Sequence, residues 1–187
     1  VVAHAAEQSG EEAMLIQDTS WDGYTEVPQW IVDGYATLVH EIDDQLADQG
    51  LERLDLVVVP AGVGSLAQAV VHHYRSTRHA PGLVVAEPVT AASVTTSLQA
   101  GRVVPVPTGE TVMTGLNCGT VSEIAWPTLR GGLDASVTVS DAQALAAVTE
   151  LADLGVDSGP CGAATLAALR SVASDPVLRT QLDLTEE

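Results

Sequence analysis

Residues 54–69, LDLVVVPAGVGSLAQA, constrain the fold more than any other part of the chain. They open with Leu56, Val57, Val58 and Val59, a continuous, largely β-branched run of the kind found in strands buried on both faces. Pro60 breaks the run, Gly62 and Gly64 follow, and a helical apolar spacing then resumes at Leu66, Ala69, Val70 and Tyr74. Strand, glycine loop and helix together can cradle a phosphate. The glycines let the backbone come close, and the first-turn amides point at the anion with the helix dipole behind them. The same pattern also describes a plain tight turn in an α/β core, and the loop alone does not choose between the two.

The remaining chain repeats this alternation. Residues 1–10 read as the end of a helix capped by Gly10. Residues 13–17 (AMLIQ) read as a short buried strand running into a polar, aromatic loop from Asp18 to Tyr24. Pro28 suits a first helical turn, and Ile31, Tyr35, Leu38, Ile42 and Leu46 mark one face of a long amphipathic helix ending near Gly50. The central helix is expected to run to about His79. Residues 82–86 (GLVVA) form a second buried strand leading into Glu87 and Pro88, and a helix covers 91–98. Residues 102–106 make a short edge strand, and 108–119 a loop rich in Gly and Thr. A helix follows over 122–129 and a strand over 135–139 (ASVTV). Ser140 with Gln143 caps a helix over 142–154. Residues 158–162 open a helix to about Val172, and Asp175-Pro176 starts a last short one.

Strands alternating with helices mean βαβ units: an α/β fold, one domain, with a mostly parallel sheet and helices on both faces. In such sheets ligands lie at the carboxyl ends of the strands. The loops at Asp18, Gly62, Glu87 and Gly115 should therefore gather at one edge.

Charge narrows the partners. The 187 residues carry 25 acidic against 7 basic side chains, a net charge of −18, which argues against nucleic acid and anionic membrane surfaces. No apolar run reaches the length of a membrane span and no leader is expected. Cys118 and Cys161 are too few and too far apart for a zinc site or a disulfide framework, so no metal and a reduced, cytoplasmic setting are expected.

Several side chains carry two readings. Asp18, after a strand at the ligand edge, suits a general base, or a loop aspartate capping its own turn. Trp21 and Tyr24 suit a pocket wall, whereas Trp30 and Tyr35 belong on the buried helix face. His72 and His73 are adjacent, point in different directions and cannot form a metal pair. Cys118 suits a small buried hydrophobe, and Ser158 a helix N-cap. No G-x-S-x-G elbow supports a serine hydrolase.

Five motifs in order, QDTSWDGYTEVPQWIVDGY (17–35), PAGVGSLA (60–67), AEP (86–88), TVMTGLNCG (111–119) and DSGPCGAATLAAL (157–169), resemble the diaminopropionate ammonia-lyases. These are pyridoxal-phosphate enzymes of fold type II, the tryptophan-synthase-β fold. The glycine loop and the SG-x-x-GA helix start are shared with threonine dehydratases and serine racemases. The QDT-x-W-x-GY segment is narrower. The resemblance implies elimination of ammonia from 2,3-diaminopropionate to give pyruvate, with the cofactor as electron sink. It implies Asp18 as a base, Gly62, Val63, Gly64, Ser65 and Leu66 as the phosphate loop, and Gly115 near the cofactor.

The family holds its cofactor on a lysine in an N-terminal segment that also carries a second catalytic aspartate. Nothing here matches that segment, and the chain contains no lysine. The family also continues beyond Glu187 into another strand. The expectation is therefore most of a cofactor domain without its small domain or either flank, inactive by itself, and pairing as a homodimer through exposed apolar surface. The alternatives are a threonine or serine dehydratase-like fragment, or a non-catalytic α/β module that binds phosphorylated ligands. A Rossmann domain lacks its G-x-G-x-x-G.

Overall fold

The apolar run after Asp55 forms strand β1 (Leu56–Pro60), and the computed structural model, which describes residues 14–51, 53–77 and 80–184, pairs it with β2 (Gly82–Pro88). Strand β3 (Ala135–Val139) lies on the other side of β2, and both pairings are parallel, giving the order β1-β2-β3. Registers run from Leu56 opposite Gly82 and from Val84 opposite Ala135.

Central position explains the sequence of β2. Leu83 and Val85 enter one core with Ala67, Val70 and Val71 of helix α2 (Ser65–Ser76). Val84 and Ala86 enter a second core on the opposite face, with Ala163, Ala164, Ala167 and Ala168 of helix α6 (Pro160–Ser174). A strand with both faces covered needs an unbroken apolar run, because alternate side chains point to opposite cores. Each fully buried Leu or Val contributes about 1.5–3 kcal/mol.

The other helices are α1 (Glu26–Asp48), α3 (Ser93–Ala100), α4 (Trp126–Gly132), α5 (Asp141–Asp153) and α7 (Pro176–Gln181), with a 3₁₀ turn at Thr114–Leu116. Helix α5 starts at the expected capping box: Gln143 N–H donates to Ser140 Oγ, and Gln143 Oε1 accepts from Ser140 N–H.

Several expectations need correction. Residues 13–17 are not a buried strand: 14–17 pair with no strand among the described residues, and Met14 and Ile16 are exposed. Their ties run instead to the Tyr24 hydroxyl, which donates to Leu15 O and accepts from Gln17 N–H. Residues 102–106 form no strand, because Pro105 and Pro107 interrupt the amide donors a ladder needs; single bonds from Val104 N–H to Ser97 Oγ and Val106 N–H to Gly119 O hold the segment. Helix α4 starts at Trp126 rather than Ser122, since 122–125 form a turn. Gly159, not Ser158, is the N-cap of α6, with Pro160 as its first residue. The helix read over 1–10 and the end near His79 lie outside the described residues; α2 itself closes at Ser76.

Helix α1 buries a different stripe from the one the spacing suggests. Pro28, Val32 and Val39 face inward, while Trp30, Leu38 and Ile42 are exposed. An acid on the inward side sets the rotation: Asp43 Oδ2 pairs with His73 Nε2 at 2.6 Å, and Asp43 Oδ1 accepts from the Tyr74 hydroxyl at 3.2 Å. His72, its neighbour, is exposed, so the two histidines do diverge.

Burial first, and then the charge and hydrogen bond of Asp43, push the Tyr74 phenol up to about 12. Its folded value lies above the unfolded one near 10, so its stabilisation is complete below pH 10 and lost as pH rises toward 12. In a spectrophotometric titration Tyr74 should ionise about two units above a free phenol, and Asp43→Ala should lower its midpoint.

Candidate functional site

The glycine loop follows the carboxyl end of β1. Ala61 N–H extends the ladder to Ala86 O at 2.9 Å, and the chain turns through residues 62–64 into α2. Gly64 is the N-cap, with φ of 100°, a left-handed backbone that favours glycine. Gln68 N–H closes the first helical bond to Gly64 O at 2.7 Å. That leaves the amides of Gly62, Gly64, Ser65, Leu66 and Ala67 without an acceptor among the described residues, although Gly64, Ser65 and Ala67 are buried. Buried donors ordinarily find acceptors. No acidic residue occupies the first turn. Val63 differs, because its N–H donates to the Cys118 sulfur.

Gly62 abuts the second glycine-rich loop. A Cβ there would lie 3.0 Å from Cys118 Sγ and 3.1 Å from Gly115 O, so a side chain at 62 would push the Thr114–Leu116 turn away. The structure thus brings Gly62 to Gly115, as the sequence suggested. Burial, helped by the negative charges of Asp18 and Glu87, raises the Cys118 thiol, which stays protonated at neutral pH. Its packing role stands, and both cysteines are free.

Asp18 is held by its backbone. Its carbonyl accepts from Ser65 Oγ at 3.2 Å and from Ser122 Oγ at 3.4 Å, and no hydrogen bond or ion pair engages its half-buried carboxylate among the described residues. The hydroxyl of Ser65 is directed at Asp18, so only its amide faces the helix entrance. Ser20 and Ser122 are functional candidates that local pattern did not reveal: their hydroxyls meet at 2.8 Å across 102 residues of sequence. Trp21 and Tyr24 stack on each other with centroids 4.4 Å apart, closing a tight turn over Asp22 and Gly23.

Glu87, at the end of β2, is fully buried. Oε1 accepts from Val94 N–H, and Oε2 from Thr95 N–H and Oγ1, each at 2.8 Å. The carboxylate thereby caps α3. Burial raises its pKa despite these hydrogen bonds. Glu87→Gln turns one acceptor into a donor facing donors, and should cost about 2–3 kcal/mol, read as a lower denaturant midpoint at unchanged slope.

Among the described residues, the buried side-chain atoms Gln17 Nε2, Thr90 Oγ1 and Asn117 Oδ1 in loops, and Ser93 Oγ at the start of α3, have no hydrogen-bond partner. Open amides at a helix N-terminus on the carboxyl edge of a parallel sheet are the arrangement that suits an anionic ligand. Residues 1–180 match the family model described as pyridoxal-phosphate dependent enzyme, and the chain belongs to this family. It is 33% identical over 180 residues to the diaminopropionate ammonia-lyase of Escherichia coli strain K12, covering 91% of this chain and 44% of that protein. The crystal structure of the E. coli diaminopropionate ammonia lyase in complex with D-serine covers all of this chain and 48% of its own, with 28% identity and a TM-score of 0.82. Similarity to the serine racemase of Arabidopsis thaliana is lower, 28% over 142 residues. The chain spans less than half the length of these curated relatives.

The residues present fit the family's cofactor. A dianionic phosphate would supply the acceptors that the open amides from Gly64 to Ala67 lack. Among the described residues no group of side chains could hold a metal ion, and no helix is long and apolar enough to cross a membrane.

Proposed function

We propose that this chain is most of the cofactor domain of a pyridoxal-phosphate-dependent ammonia-lyase acting on 2,3-diaminopropionate, which with one water yields pyruvate and two ammonia molecules. The observation that carries the reading is the open amide row at the start of α2, joined through Ser65 to the QDT segment. Gly62, Gly64, Ser65 and Leu66 would hold the phosphate by their amides. Val63 and Gly115 shape the loop from behind, Val63 through the Cys118 sulfur. The bound cofactor supplies an electron sink for the pair left at Cα. Asp18 takes the α-proton on its carboxylate, which makes no hydrogen bond or ion pair among the described residues. The cofactor-bearing lysine has no counterpart among these 187 residues, so turnover draws on a segment outside them, as does the small domain.

The dehydratase reading shares the glycine loop, but the QDT-x-W-x-GY segment and the higher identity to the ammonia-lyase favour the lyase. The test is Asp18→Asn in the complete enzyme, assayed on 2,3-diaminopropionate, threonine and serine. A fall of about 10²–10⁴ in kcat with the cofactor still bound supports the reading. Undiminished turnover removes Asp18 as the base, and preference for threonine or serine replaces the lyase by a dehydratase.

A homodimer is part of the same proposal. Trp30, Leu38 and Ile42 expose apolar surface along α1, and such patches are commonly buried on association. Light scattering should give twice the protomer mass; a clean monomer would count against it.

A further inference from the structure

We propose that Ser65 and Ser122 are positioning residues that couple occupancy of the anion site at α2 to the placement of Asp18, acting through the Asp18 carbonyl oxygen. The inference rests on the reading of Asp18 as the base and goes beyond it by making base placement depend on the phosphate.

Two hydroxyls from distant segments converge on that one carbonyl, 47 and 104 residues away in sequence. Ser65 is the first residue of α2. Its unbonded amide faces an incoming anion, and its hydroxyl holds Asp18, so one residue touches both functions. Ser122 is tied to the same loop from the other side, its N–H donating to Val63 O at 2.8 Å. It also accepts from Ser20 N–H at 2.9 Å.

The hydroxyl protons have one consistent arrangement. Ile124 N–H donates to Ser20 Oγ at 2.9 Å, Ser20 Oγ donates to Ser122 Oγ at 2.8 Å, and Ser122 Oγ donates to Asp18 O. Each hydroxyl then donates once and accepts at most twice, which is its full capacity. Ser20, Ser65 and Ser122 are 4%, 3% and 0% exposed, so water cannot stand in for a lost member. An anion that fixes the Ser65 backbone must also sharpen its hold on Asp18, and the coupling is reciprocal.

Two readouts test this. In the first, inorganic phosphate is added to cofactor-free protein, with chloride at equal ionic strength as control, and amide hydrogen exchange is followed at Ser20, whose N–H donates into the clasp. Phosphate should slow that exchange several-fold in the wild type and leave it unchanged in Ser65→Ala, which keeps every amide of the loop. No effect in the wild type, or an equal effect in the variant, overturns the coupling.

In the second, the complete enzyme carrying Ser65→Ala should lose about 10–100-fold in kcat with KM and cofactor affinity nearly unchanged. Ser65→Thr, which restores the hydroxyl, should recover most of the rate. A drop in cofactor affinity that matches the drop in kcat would reduce Ser65 to a structural role. An inactive Asp18→Asn beside a fully active Ser65→Ala overturns only the coupling, whereas an active Asp18→Asn overturns the reading beneath it.

Discussion

Gly64→Asp is expected to abolish cofactor binding, and it carries the largest functional effect of any single change considered. Three effects act together at that position. The backbone is left-handed at φ of 100°, which costs a non-glycine residue about 1–2 kcal/mol. A Cβ would lie 2.7 Å from Leu129 Cδ1 in the buried core. The aspartate would also place a negative charge at the helix N-terminus proposed to take the phosphate. Gly64→Ala separates these effects, because it keeps the strain and the collision and omits the charge. Affinity for pyridoxal phosphate should fall at least about 100-fold further in the aspartate than in the alanine variant, measured by fluorescence titration of folded protein. Equal affinities in the two variants would mean that no anion binds at this loop.

A large stability effect should also come from Gly132, at the end of α4. A Cβ there would approach Val71 Cγ1 of α2 to 2.2 Å, and Val71 is buried in the core. The Gly132 carbonyl also accepts from Arg75 Nε at 2.8 Å, so α4 cannot drift away without losing that bond. Gly132→Ala should therefore destabilise by about 1–3 kcal/mol through overpacking, lowering Tm by roughly 2–4 °C per kcal/mol for a chain of this size. Its neighbour gives the opposite expectation: a Cβ on Gly131 meets nothing within 4 Å, so Gly131→Ala should be neutral or slightly stabilising through helix propensity. Calorimetry on both variants checks the pair, and a neutral Gly132→Ala would contradict the close approach of α4 to α2.

The three sheet strands were legible because their signal is local. Each is a short apolar run, and β3 occupies 135–139 as read; the Ser140–Gln143 capping box is likewise a matter of residues three apart. The glycine loop was legible for the same reason. What failed was decided by partners far away in sequence. Residues 13–17 have strand composition, but composition does not supply a neighbouring strand. The apolar spacing of α1 picked Ile31, Leu38 and Ile42, whereas packing chose Val32 and Val39 because Asp43 on that side finds His73 and Tyr74 on α2. Ser122 read as a helix start, but its hydroxyl and amide serve Ser20, Asp18 and Val63 instead. Of the candidate site, the loop and Asp18 were visible in the sequence. The serine clasp that joins them was not, since Ser20 and Ser122 are ordinary serines until the chain folds.

The most direct test of the phosphate cradle is a ¹H–¹⁵N spectrum of the protein titrated with pyridoxal 5′-phosphate and, separately, with pyridoxal. The amides of Gly62, Gly64, Ser65, Leu66 and Ala67 should move with the phosphorylated compound and stay in place with the other. If these five remain still while amides elsewhere shift, the start of α2 is not where this chain holds its cofactor.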